Sequence, residues 1–257
     1  MSNKAIPALA ALLLLGSGAA WYWWPHIAPT PAPPPIGVLP SAETGPAIAN
    51  PLPVPAATET QTLPALAESD AAFNAAALAL PGAAALRDRL RPENLIRHLV
   101  ATIDNLPRHR LAVELRPLEA TSGVLQIIGD DQQATLDEHN AARYAPLIAI
   151  VSHLDMHSVA DLYKLYYPLF QQAYLNLGYP NGYFNDRLVA VIDHLLSAPQ
   201  TAAPLTLVRP KVFWEFADPE LEARSAGQKL MLRLGNENAA VVRKKLGELR
   251  ALVAANQ

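Results

Sequence analysis

The sequence predicts a mainly α protein: a single helical domain with a minor β component, preceded by an N-terminal transmembrane helix and a proline-rich linker. Three observations predict it. Residues 5–24 carry no charge, half of the 24 prolines lie between Pro25 and Pro64, and beyond them apolar residues recur at helical spacing. The expected organisation is a membrane anchor over 1–24, a Pro/Ala-rich disordered linker over 25–66 and a mostly helical globular domain over 67–257.

Twenty uncharged residues at about 1.5 Å each span roughly the 30 Å of a bilayer core. Trp21, Tyr22, Trp23 and Trp24 close the run with rings suited to the headgroup zone. A cleaved signal peptide is the competing reading, with Ala8 to Leu15 as its apolar region. The aromatic quartet favours a retained span. Lys4 precedes the run and no Lys or Arg follows until Arg87, so the positive-inside rule predicts a single-pass inner-membrane protein with its C-terminal domain in the periplasm. The linker is too poor in patterned apolar residues to build a core, and in polyproline conformation it reaches about 130 Å.

In the domain, 69–79 and 83–90 read as short helices. Pro92 suits the first position of a third, with Leu95, Ile96, Leu99, Val100 and Ile103 on its inner face. Residues 111–115 and 124–128 are expected to pair as a hairpin. Helix is predicted again from Thr135 to Leu154, interrupted or bent by Pro146. Six of the eight tyrosines then fall between Ser158 and Leu196. There Ser158 is the expected cap of one helix, Pro168 a kink or restart within it, and Asn185 the cap of the next. Residues 205–208 and 212–216 read as extended segments around Pro210, at a sheet edge. Asp218 and Pro219 start a helix that Gly235 stops, and Asn236 or Asn238 caps the last one.

Composition excludes several functions. A net charge of −3 gives no basic footprint for nucleic acid, and with no cysteine there is no disulfide, thiolate metal site or cysteine nucleophile. No cofactor motif, phosphate loop or Gly-x-Ser-x-Gly elbow is present. His153 and His157 stand four apart, but a helix break between them splays the rings, so no metal site is assigned. Asp193 and His194 point about 100° apart on a helix and form no dyad by themselves.

Two patches are candidate binding sites. Tyr179, Tyr183, Phe184, Asp186 and Arg187, with Asn185 among them, combine rings, a carboxylate and a guanidinium as a sugar or peptide site would. A packed interhelix turn is the competing reading. Arg209, Lys211 and Trp214, beside Glu215, suit an acidic polymer or an added strand; the alternative is an amphipathic edge with Phe213 or Trp214 turned inward. No catalytic residue is assigned, and Asp186 with Glu215 is the carboxylate pair to measure for a glycosidase. Gly227 is assigned to close helix packing.

Four stretches, ATIDNLP (101–107), YYPLFQQAY (166–174), GYPNGYFNDRLVAVIDHLL (178–196) and RPKVFWEFADPELEARSAGQKLMLRLGNENA (209–239), resemble those of a Gram-negative bacterial family, domain of unknown function 3014. The resemblance covers roughly residues 65–254. It implies a membrane-anchored envelope protein of a proteobacterium and carries no activity; Asn181 stands where that family more often has aspartate. The expected role is a tethered binding or scaffolding module, bound to the inner membrane through 5–24 and meeting an envelope protein or the cell wall. A cell-wall or envelope hydrolase is the alternative, and a domain that merely caps an assembly is a third.

Overall fold

The computed structural model describes residues 47–52, 62–121, 123–130, 133–201 and 204–255, all within the compact unit Gly45–Gln257. Residues 5–24 and most of the expected linker lie outside them. The domain is mainly helical with one small antiparallel sheet. Its eight helices among the described residues are α1 (Asp70–Leu78), α2 (Leu95–Asn105), α3 (Ala145–His153), α4 (Met156–Asn176), α5 (Phe184–Leu196), α6 (Pro219–Glu222), α7 (Ala226–Arg233) and α8 (Asn236–Val253). The strands β1 (Ile127–Gly129), β2 (Ala134–Leu136), β3 (Thr206–Val208) and β4 (Glu215–Phe216) lie side by side in that order.

The main core fills the space between α1, α2, α4, α5 and α8. α2 buries Leu95, Ile96 and Val100 and half-buries Leu99 and Ile103, the face its spacing predicts. α4 turns Tyr163, Tyr166, Phe170 and Tyr174 inward, where edge-to-face pairs such as Phe73–Tyr166, 5.0 Å between centroids, lock the rings. Separate clusters sit under α3 (Ile148, Met231, Leu234) and under the sheet (Leu207, Phe216, Leu232).

Several expected boundaries move, each for a visible reason. Asn94 adopts φ 51°, so α2 begins after it rather than at Pro92, and the Asp70 carboxylate of α1 accepts from Asn94 N and Leu95 N at 2.6 and 3.0 Å. Residues 83–90 form only a 3₁₀ turn, Ala84–Leu86; their backbone pairs sideways, Arg91 N donating to Pro117 O and Glu119 N to Arg89 O. The expected hairpin re-pairs: 113–115 is a 3₁₀ turn, and β1 joins β2 through a bend at Gly129, where a Cβ would come within 2.5 Å of Gln133 O. Thr135 is thus strand, and Pro146 sits harmlessly in the first turn of α3.

Asp155, not Ser158, caps α4, accepting from Ser158 N at 2.9 Å. α4 runs through Pro168 without restarting, because Pro168 is exposed and water can serve the carbonyl it leaves free. The helix expected from Asp218 to Leu234 breaks before Ser225, which caps α7 by accepting from Gln228 N. Gly235, at φ 78°, precedes α8, and neither Asn236 nor Asn238 caps it. Pro210 lies in the β3–β4 turn; β4 is at an edge, whereas β3 is inside the sheet. Gly227 does allow close packing: a Cβ there would meet Leu195 Cδ2 at 2.5 Å.

Candidate functional site

The aromatic corner is built inward. Gln171 of α4 organises the turn before α5, accepting from Phe184 N at 2.8 Å and from the Tyr167 hydroxyl at 3.0 Å while donating to Gly182 O at 2.7 Å. The Phe184 ring is 0 % exposed and stacks on Phe170. Phe184 is therefore core, and its assignment to a contact surface is corrected: the turn that displays a ring in sequence folds it between two helices. Asn185 does not cap α5 either. It is fully buried, accepts from the Tyr163 hydroxyl at 3.1 Å and donates to Asn50 O and Val253 O, both at 2.8 Å.

The charged members of the corner have partners within the chain. Asp186 accepts from Ala49 N at 3.0 Å and Asn50 N at 2.6 Å, so six residues of the stretch read as linker, 47–52, are tied to the start of α5. Arg187 donates through Nε to Asp104 Oδ1 at 2.9 Å and through a terminal nitrogen to the Asp104 carbonyl at 2.7 Å. Asp104 Oδ2 accepts from Arg108 at 2.7 Å and from the Tyr179 hydroxyl at 3.1 Å. Tyr179, half-buried, stacks on Tyr174, and Tyr183 is half-buried ahead of α5. Asp104 was not singled out from sequence. One signal pointed to it: a carboxylate four residues after Val100 shares the apolar face of α2.

The second patch stays open. Arg209 and Lys211 are exposed on the β3–β4 hairpin, and the Arg209 guanidinium lies 5.8 Å from the centroid of half-buried Trp214. Between them Val212 is 67 % and Phe213 79 % exposed. Of Phe213 and Trp214, one of which the amphipathic-edge reading turns inward, it is Trp214 that packs against the domain, with Phe216 two residues on. Glu215 lies in this hairpin and Asp186 at the start of α5, where backbone N–H groups hold both of its carboxylate oxygens.

Other chemistry is equally accounted for. His153 ends α3 and His157 lies in the first turn of α4, and among the described residues no group of three His, Asp or Glu side chains is placed to hold a metal. His194 Nε2 lies 2.7 Å from Ser225 Oγ, a serine–histidine contact. It lacks the rest of a hydrolytic site: Asp193 pairs with Arg250, and the amides of Ala226 and Gly227 donate to Arg108 O and Leu106 O, so they cannot receive an oxyanion.

Burial, and then the Arg187 charge, hold the His194 pKa below its ordinary value. The unfolded chain then takes up the proton first, so stability falls as pH drops below about 6.5. His139, raised by the Asp137 carboxylate, has the opposite sign. Comparing urea midpoints at pH 7.5 and 5.0, His194→Gln should lose less on acidification than the unaltered chain; equal losses would show that His194 is not the group responsible.

Among the described residues no helix is long and apolar enough to cross a membrane. No curated protein and no solved structure matches the chain. The model of one family, described as Protein of unknown function (DUF3014), matches residues 95–250, from α2 to the last turn of α8, and the chain belongs to that family.

Proposed function

We propose that the chain is a membrane-tethered binding or scaffolding module of the bacterial cell envelope. Residues 5–24 anchor it in the inner membrane, the folded domain stands in the periplasm, and the β3–β4 hairpin is its contact surface. The observation that carries this reading is the exposure of Val212 and Phe213, 67 % and 79 %, directly after the cations Arg209 and Lys211. Trp214 and Phe216 already pack the base of the hairpin, so folding does not require the tip to be apolar, and a partner surface does. Aromatic residues beside cations suit an acidic protein surface with an apolar pocket. The aromatic corner contributes as the joint that holds the tether, through Asp186 and Asn185.

A photocrosslinking residue at position 213 of the full chain, in intact cells, tests the reading. The expected product is one discrete adduct with an envelope component, lost when Lys211→Glu is added and absent from a probe at Glu220. Equal, diffuse labelling from both positions overturns it. A reporter fused after Gln257 should be active outside the cytosol, and activity inside it would overturn the topology.

A further inference from the structure

The outermost strand β1, at one edge of the sheet, belongs to a run that reads alike in both directions: Gly123, Val124, Leu125, Gln126, Ile127, Ile128, Gly129. Glycine matches glycine, aliphatic matches aliphatic, and Gln126 is the centre. The two glycines also end the extended run symmetrically, at φ 83° and 122°. Asp137 N donates to Gln126 O, Asp130 N donates to Gln133 O, and Ile128 lies opposite Thr135, so the even-numbered residues turn their backbone groups toward β2. Leu125 and Ile127 therefore turn their N–H and C=O groups away from the sheet, and among the described residues these groups have no partner.

The side chains divide in the same way. Leu125 and Ile127 pack into the cluster under the sheet, while Val124 and Ile128 are 76 % and 63 % exposed, with exposed Gln126 between them. Unpaired sheet edges are ordinarily guarded by a charge or a proline, and residues 123–129 have neither. A two-fold axis through Gln126 satisfies this edge with itself. Antiparallel pairing then sets Leu125 against Ile127 of the second copy, as a pair that exchanges both backbone hydrogen bonds. It sets Val124 against Ile128 of the second copy, in the closer type of pair where side chains meet. Centring the axis on Ile127 instead would set Val124 against Asp130 and Ile128 against Gln126, so the apolar match fixes the register.

We propose that β1 pairs with β1 of a second copy of this chain, joining the two sheets edge to edge in the register centred on Gln126. This interface is independent of the hairpin, which lies at the opposite edge of the sheet. The seam is short against the roughly 1,600 Å² of a standard interface, so the dimer is weak and is best trapped covalently. The full chain, which has no cysteine, supplies the background. In this register Gln126 meets its own counterpart at about 4.5 Å between Cα atoms, within the roughly 4.4–6.8 Å that a disulfide spans. Under mild oxidation Gln126→Cys should give a disulfide-linked homodimer in at least about tenfold higher yield than Glu220→Cys. Val124→Cys or Ile128→Cys alone should not, since each lies roughly 14 Å from its counterpart, whereas the two variants mixed should crosslink to each other. In the Gln126→Cys background, Ile128→Lys should lower the yield at least about threefold, and adding Val124→Asp should restore it. Equal yields from Gln126→Cys and Glu220→Cys, or a self-dimer of Val124→Cys as abundant as that of Gln126→Cys, overturn the proposal. Mixed disulfides between Gln126→Cys and another protein in oxidised cells, in place of the self-dimer, would give the edge to a foreign strand and overturn it too.

Discussion

Replacing Asp104 with alanine is expected to lower the unfolding free energy by about 3 kcal/mol, the lower end of what removing one partner from a buried ion pair costs. The lower end applies because its side chain is 3 % exposed whereas Arg187 and Arg108 are 29 % and 54 % exposed, so water partly serves the cations left behind. Asp104 joins three elements: α2, which carries it, the turn holding Tyr179, and α5 through Arg187. Arg108→Ala should cost under about 1 kcal/mol, since an exposed pair contributes little. A double-mutant cycle between Asp104→Ala and Arg187→Ala, followed by urea denaturation, should give a coupling of about 1–3 kcal/mol. A coupling near zero would mean that Arg187 is held by its bond to the Asp104 carbonyl alone.

Asp104 also shows where sequence reading stops. Apolar spacing identified the buried faces of α2 and α5 because that signal is local: Leu95, Ile96 and Val100, or Leu188, Val189 and Ile192, recur with the helical period. Caps were misplaced when the capping group came from elsewhere in the chain. Asp70 of α1 caps α2, Gln171 of α4 receives the first amide of α5, and Lys245 of α8 donates to Leu154 O at the end of α3. A window of a few residues contains none of these pairs. The extended segments 205–208 and 212–216 do hold β3 and β4, but the hairpin expected of 111–115 and 124–128 failed for the same reason: with strands of two or three residues, pairing is decided by the bends between them and by the apolar layer below. At the candidate sites, residue type indicated the chemistry and not its direction. Tyr179, Phe184, the Asp186 carboxylate and the Arg187 guanidinium of the aromatic corner bind within the chain, and the exposure of the hairpin was legible from the proline between its cations.

Asn185→Ala is the second large effect, about 3 kcal/mol or more. The side chain is fully buried, and its loss leaves the Tyr163 hydroxyl and the carbonyls of Asn50 and Val253 without a partner, each costing about 1–3 kcal/mol when dry. Burial raises the Tyr163 pKa, so the phenol stays neutral and needs its acceptor. Leucine, close in volume, should do no better than alanine, because the deficit is in hydrogen bonds and not in packing. Aspartate should be at least as harmful: it keeps the acceptor for Tyr163 but turns an oxygen toward two carbonyls. Hydrogen exchange should separate this network from a general loss of packing. Asn50 Oδ1 accepts from Ala255 N and Asp186 accepts from Asn50 N, so Asn185 fastens residues 47–52 to the C-terminal end of α8. Protection at Asn50 and Ala255 should therefore fall before protection in α2, and simultaneous loss would show that the joint opens only with the whole domain.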